Sequence, residues 1–100
     1  MFYIKAMATK LIDDSGYPEI VLCEFIDNIG SKHKIIEKWP VVSNADFENT
    51  FPKDVLIGCV IVEEKSESFI VNTDQPWYIE SVEGKTIFEI HKSSLVIDNE

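Results

Sequence analysis

Two histidines, two cysteines and eighteen side-chain carboxylates are the groups in this 100-residue chain that could do chemistry, and their spacing organises little of it. His33 and His91 stand far apart, and neither has a second ligand a few residues away. Zinc takes three or four nitrogen or sulfur donors, usually with one pair spaced locally. A fold that joined His33, His91 and a carboxylate would make a small metal-dependent hydrolase; we expect surface or strand-edge histidines instead. No HExxH, no nucleophile elbow and no glycine-rich phosphate loop occurs. Glu63, Glu64 and Glu67 crowd together without the oxygen spacing of a calcium loop, and read as a solvated hairpin tip. No metal and no cofactor is expected. Glu37 (in EKWP) and Glu80 (in PWYIE) each adjoin a tryptophan. Paired carboxylates can hydrolyse glycosides, but a domain of this size offers little cleft for it.

The aromatic residues carry a sharper expectation. Trp39 and Trp77 each touch a proline in sequence, and Tyr78 follows Trp77. A small β domain has few large side chains to fill its interior, so at least one tryptophan should be core. An exposed Trp77 or Tyr78 would instead be an interface anchor. The candidate binding set is therefore Trp39, Trp77, Tyr78, Glu37 and Glu80.

Charge narrows the partner. The formal net charge is −9, and all nine basic residues are lysine. Without arginine the chain lacks the usual bidentate reader of phosphates and base edges. Nucleic acid and anionic membrane are expected to be poor partners; an acidic surface suits a basic protein and speeds its encounter. Cys23 and Cys59 both sit inside apolar runs, with no CxxC spacing, and are expected as buried free thiols rather than a disulfide. No apolar run reaches the eighteen residues of a membrane span, and the first ten residues do not read as a signal peptide. A cytoplasmic address is expected.

These groups need a scaffold, and the pattern is that of strands. Val55–Val62 (VLIGCVIV) is the longest apolar run, rich in stiff β-branched side chains that suit a pleated surface. Both of its alternating rows are apolar, which predicts a central strand covered on both faces. Gly58 within it implies a bend, a bulge or a close approach. Phe2–Ile12 predicts a first strand with Phe2, Ile4, Ala6 and Ala8 inward. Ile20–Asp27 predicts a second, with Val21, Cys23 and Phe25 in one row. A hairpin over Asp27–Ser31 with Gly30 at positive φ leads into Lys32–Trp39, and the chain continues through Pro40 to Val42, where Pro40 implies that the strand is at an edge or breaks. Ser43–Pro52 is the one segment expected to be helical, capped by Ser43 or Asn44 with Phe47 and Phe51 on one side. Phe69–Thr73, Trp77–Glu80 and Thr86–His91 predict further short strands, and Leu95–Ile97 a last apolar patch; Asp98–Glu100 should fray. The expected fold is all-β: one domain over 1–100, a small antiparallel barrel or barrel-like sandwich of six or seven short strands with at most one short helix.

The stretches CEFIDNIGSKHKIIEKWPVVS (Cys23–Ser43) and PWYIESVEGKTIFEI (Pro76–Ile90) resemble short acidic bacterial proteins to which no activity is attached. That resemblance implies no site residues. Some bacterial domains of this size and charge neutralise toxins as immunity proteins, an analogy of size and charge alone. The leading expectation is a non-catalytic module that binds a basic protein, with an immunity protein as its narrowest form. The alternatives are a homodimeric structural domain joined along a strand edge, and the hydrolase using His33 and His91.

Overall fold

A computed structural model describes residues 1–98 of the chain. Seven strands are present: β1 (Phe2–Asp13), β2 (Ile20–Ile26), β3 (Lys32–Lys38), β4 (Lys53–Glu64), β5 (Ser68–Asn72), β6 (Ile87–His91) and β7 (Leu95–Ile97). One helical turn, α1 (Trp39–Val42), and a 3-10 turn (Lys92–Ser94) complete the elements. Every pairing is antiparallel, in the order β3-β2-β1-β4-β5-β6, with β7 also on β1. The sheet curls into a half-barrel. Its far edges meet through two backbone bonds, Asn28 N–H to the Glu89 carbonyl and Val82 N–H to the Lys34 carbonyl, both 2.9 Å.

Period-two patterning explains the interior. Ile4, Ala6 and Ala8 of β1, Val21, Cys23 and Phe25 of β2, and Val55, Ile57 and Cys59 of β4 are all buried. Val71, Phe88 and Ile90 continue the core across β5 and β6, and Trp39, Val42 and Ile79 close it. The expected rows of the first two strands are the observed ones.

β4 departs from expectation in two ways. Its outward row is covered at Gly58 but not elsewhere: Val62 is 59% exposed, and Leu56 and Val60 are also exposed. A run apolar in both phases does not require two layers, because the inward row alone can anchor the strand to the core. Nor is β4 the hub. β1 pairs with β2, β4 and β7, bulging near Thr9 and Ile12 to do so.

The segment after β3 also differs. Pro40 starts a helical turn rather than prolonging the strand, since its fixed φ suits a first turn that needs no N–H there. The helix expected over Ser43–Pro52 does not form. That stretch is irregular, with Ser43 accepting the Ala45 amide at 3.1 Å, although Phe47 and Phe51 still meet at 6.3 Å. Trp77–Glu80 is not a strand: a turn ends at Trp77 and irregular chain follows it. Thr73, fully buried, pins it by donating its hydroxyl to the Ile79 carbonyl at 2.6 Å. Asp98 is tied to Met1, donating its amide to the Met1 carbonyl at 2.8 Å, so it does not fray; Asn99 and Glu100 lie outside the described residues.

Candidate functional site

The Trp77–Tyr78 turn is the feature of the surface that stands out chemically. Asp74 accepts the Tyr78 amide, and Ile79 beyond it is buried, so the two aromatic residues ride the crest of an anchored loop. Trp77 is 50% exposed and Tyr78 74%. Tyr78 has φ 58, a left-handed conformation that non-glycine residues rarely adopt and that surrounding structure must hold in place. Beneath the indole lies Gly58. A Cβ there would fall 2.5 Å from Trp77 Cδ1 and 2.7 Å from Nε1, so the glycine is what lets that edge of the indole approach β4. Of the bend, bulge or close approach that the glycine inside the β4 pattern implied, the structure shows a close approach, made by a side chain.

Beside the ring runs a groove of about 310 Å³, floored by Tyr3 and Leu56 on the outer face of the sheet and walled by Pro40, Val41 and Trp77. Its volume is at the small end of the range for ligand sites. Asn44 and Asp98 supply polar groups at its rim. Residues 66–84, which include the turn, carry Glu67, Asp74, Glu80 and Glu83 and no lysine.

Gly58→Ala tests this packing. The added methyl should displace the indole at a cost of about 1–3 kcal/mol, the usual range for overpacking. The accompanying sign is a red-shifted Trp77 emission; an unshifted spectrum with unchanged stability would show that the ring does not rest on Gly58.

Of the five residues proposed as binding, the structure places only Trp77 and Tyr78 together and exposed, with Glu80 exposed two positions on. Trp39 is a correction. It is 4% exposed, its indole N–H donates to the Ala45 carbonyl at 2.7 Å, and its ring meets Phe47 edge-on at 5.6 Å. Glu37 is half-buried at the end of β3, where its carboxylate accepts the Lys38 amide.

His33 is placed differently than expected, while His91 is at the surface as expected. His33 lies in the inward row of β3, 6% exposed, against Phe25 and Phe88. Its Nε2 meets Asp27 Oδ2 at 2.8 Å, while its Nδ1 is buried without a partner. The phase signal was there, since His33 alternates with Ile35 on the buried side. Burial pushes the Asp27 carboxyl up, but the His33 hydrogen bond and the amides of Ser31 and Ile29 outweigh it and hold the carboxyl below its ordinary value. His91 is exposed and caps the 3-10 turn by accepting the Ser93 amide at 3.1 Å. Neither ring nitrogen of His33 is open to a ligand, and no group of three or more His, Cys, Asp or Glu side chains is placed to hold a metal among the described residues.

Cys23 and Cys59 are buried free thiols, each pushed up to about 12 by burial, which leaves them inert as nucleophiles at neutral pH. Among the described residues, no helix is long and apolar enough to cross a membrane. Compared with family models, curated proteins and solved structures, the chain matches none.

Proposed function

We propose that this chain is a non-catalytic protein-binding module that engages a basic partner through the Trp77–Tyr78 turn. One arrangement supports the reading: two adjacent, exposed aromatic rings held on a pinned loop, within a stretch of sequence (66–84) that carries four acids and no lysine. Rigid aromatic side chains supply a large share of interface energy at low entropic cost, and rim charges of the right sign raise the association rate. The narrowest form of the proposal is a toxin-neutralising immunity protein, in which the acidic turn would cover a cationic site of the toxin.

Capture experiments at low salt should recover a protein of isoelectric point above about 9, released as ionic strength rises. Tyr78→Ala removes a ring with little role in packing and should weaken that capture about thirtyfold, the loss typical of a hot-spot residue. A partner that is neutral or acidic, or that binds the variant equally well, would defeat the proposal.

The exposed Leu56, Val60 and Val62 of β4 favour a second reading, a homodimer closed over that face. Sedimentation separates the two: a concentration-dependent dimer lost in Val62→Lys supports the homodimer, and a monomer throughout supports the heterologous partner.

A further inference from the structure

Trp39 fastens two irregular segments side by side. Its backbone amide donates to the Glu19 carbonyl at 2.8 Å, and its indole N–H donates to the Ala45 carbonyl at 2.7 Å. The loop between β1 and β2 is thereby held beside the stretch that follows α1, and a cleft of about 380 Å³ opens there. Tyr17 and Glu19 line it from the loop, Asp46 and Phe47 from the stretch, and Trp39 joins them. Phe47 is set by its edge-on contact with Trp39. Tyr17 is 86% exposed and makes no ring contact or hydrogen bond among the described residues.

The cleft carries charge of one sign. Its lining holds two carboxylates and no lysine. Residues 11–19 and 39–52, which supply most of it, contain Asp13, Asp14, Glu19, Asp46 and Glu48 and no lysine. Of the lysines flanking these segments, Lys10 and Lys38 lie outside the lining. Lys53 lines a neighbouring cleft that shares Asp46, and there it pairs with Glu48 at 3.6 Å. The Glu19 and Asp46 carboxylates make neither a hydrogen bond nor an ion pair among the described residues. A cation entering the cleft would therefore meet uncompensated negative charge from both segments.

We propose that this cleft receives an arginine side chain of a basic partner protein, with the guanidinium between Glu19 and Asp46 and its planar face on the Tyr17 ring. The inference deepens the reading of a basic partner and rests on it. Guanidinium suits the site better than ammonium, because it is weakly hydrated and stacks on aromatic faces. Its five donors can also serve two carboxylates at once and still reach the Asn44 side chain in the lining. A metal ion fits less well: among the described residues no group of three or more His, Cys, Asp or Glu side chains is placed to hold one. Nucleic acid would be repelled by the same carboxylates. Pro40, Ser43 and Asn44 line both this cleft and the groove beside Trp77, so one partner surface can cover both openings.

The test is an NMR titration of the isotope-labelled full chain with an end-blocked glycine–arginine–glycine tripeptide. The same tripeptide carrying citrulline, neutral and of nearly the same shape, is the second probe. The expected result is shifts at Tyr17, Glu19, Asn44 and Asp46 with arginine and none there with citrulline. Binding should weaken roughly three- to tenfold in Glu19→Gln/Asp46→Asn, as the loss of two exposed ion pairs implies. Tyr17→Ala should weaken it about two- to fivefold, the worth of an exposed cation–π contact. Glu63→Gln/Glu67→Gln removes the same charge near the β4–β5 turn and should bind as wild type does. Equal weakening in both pairs, equal shifts with citrulline, or arginine shifts confined to other surfaces would each overturn the proposal. Arginine binding in the cleft, beside partner capture that ignores Tyr78→Ala, supports the cleft and defeats the Trp77–Tyr78 anchor alone. Capture lost in Tyr78→Ala, with no arginine binding in the cleft, defeats the cleft alone.

Discussion

Trp39→Ala is expected to destabilise the fold by about 3–5 kcal/mol, the range for truncating a buried tryptophan. For a domain of this size that corresponds to a fall in melting temperature of roughly 15–30 °C. The ring is more than packing volume. Its N–H holds the Ala45 carbonyl at 2.7 Å, its edge-on contact with Phe47 leads on to Phe51, and the Trp39 backbone amide donates to the Glu19 carbonyl at 2.8 Å. The irregular segment between α1 and β4 has no helix of its own and depends on these contacts for its path. Trp39→Phe keeps much of the volume and drops the N–H, so its cost should be smaller, about 1–2 kcal/mol for the carbonyl left unpaired. Urea unfolding reads both. An alanine variant within 1 kcal/mol of wild type would mean that the segment is held by something other than this side chain.

Trp39 also shows where pattern reading stopped. Phase is legible wherever polar and apolar residues alternate, and so the rows of β1 and β2 were expected as observed. It is ambiguous where both phases are apolar: the VLIGCVIV run did not disclose that Leu56, Val60 and Val62 face outward uncovered. Proline marked a break at Pro40 without saying that the break would be a helical turn. At the candidate site, the PWY stretch was legible as a candidate for exposure because Pro76, Trp77 and Tyr78 are contiguous, and Trp77 and Tyr78 are exposed. That Trp77 would lie on Gly58 was not, because the two residues are brought together only by the long-range path of the loop. His33 was expected at the surface or a strand edge; it lies on the terminal strand β3 but faces inward, as its alternation with Ile35 implied.

The Asp27–His33 pair should carry the second large effect. A carboxylate can only accept, so the proton on His33 resides on Nε2, and the bare Nδ1 faces apolar surroundings without needing a donor. Asp27 Oδ1 meanwhile accepts the amides of Ile29 and Ser31, both at 3.0 Å, which shapes the turn that carries Gly30 at φ 88. Asp27→Asn cannot satisfy all three donors. If its oxygen faces the amides, its NH₂ confronts Nε2–H, or the imidazole proton moves to Nδ1, where no acceptor exists. If the amide flips, the NH₂ confronts the two backbone donors. The first arrangement leaves the buried imidazole N–H without its partner and the second turns an NH₂ on two exposed amides, at an expected cost of about 1–3 kcal/mol. The pH dependence has a definite sign. Because the folded carboxyl is held below its ordinary 3.8, its contribution is complete above that value and disappears as the pH falls through the lower folded value. The stability gap between wild type and Asp27→Asn should therefore be constant near neutrality and shrink below about pH 4. Hydrogen bonds from Thr9 and Ser68 hold Glu24 and Glu89 low as well, so the variant keeps part of the acid-induced loss. Imidazole nitrogen shifts in wild type should report the Nε2–H form. A gap that stays the same from pH 7 to pH 2, or an Nδ1–H signal in wild type, would show that Asp27 and His33 are not coupled in this way.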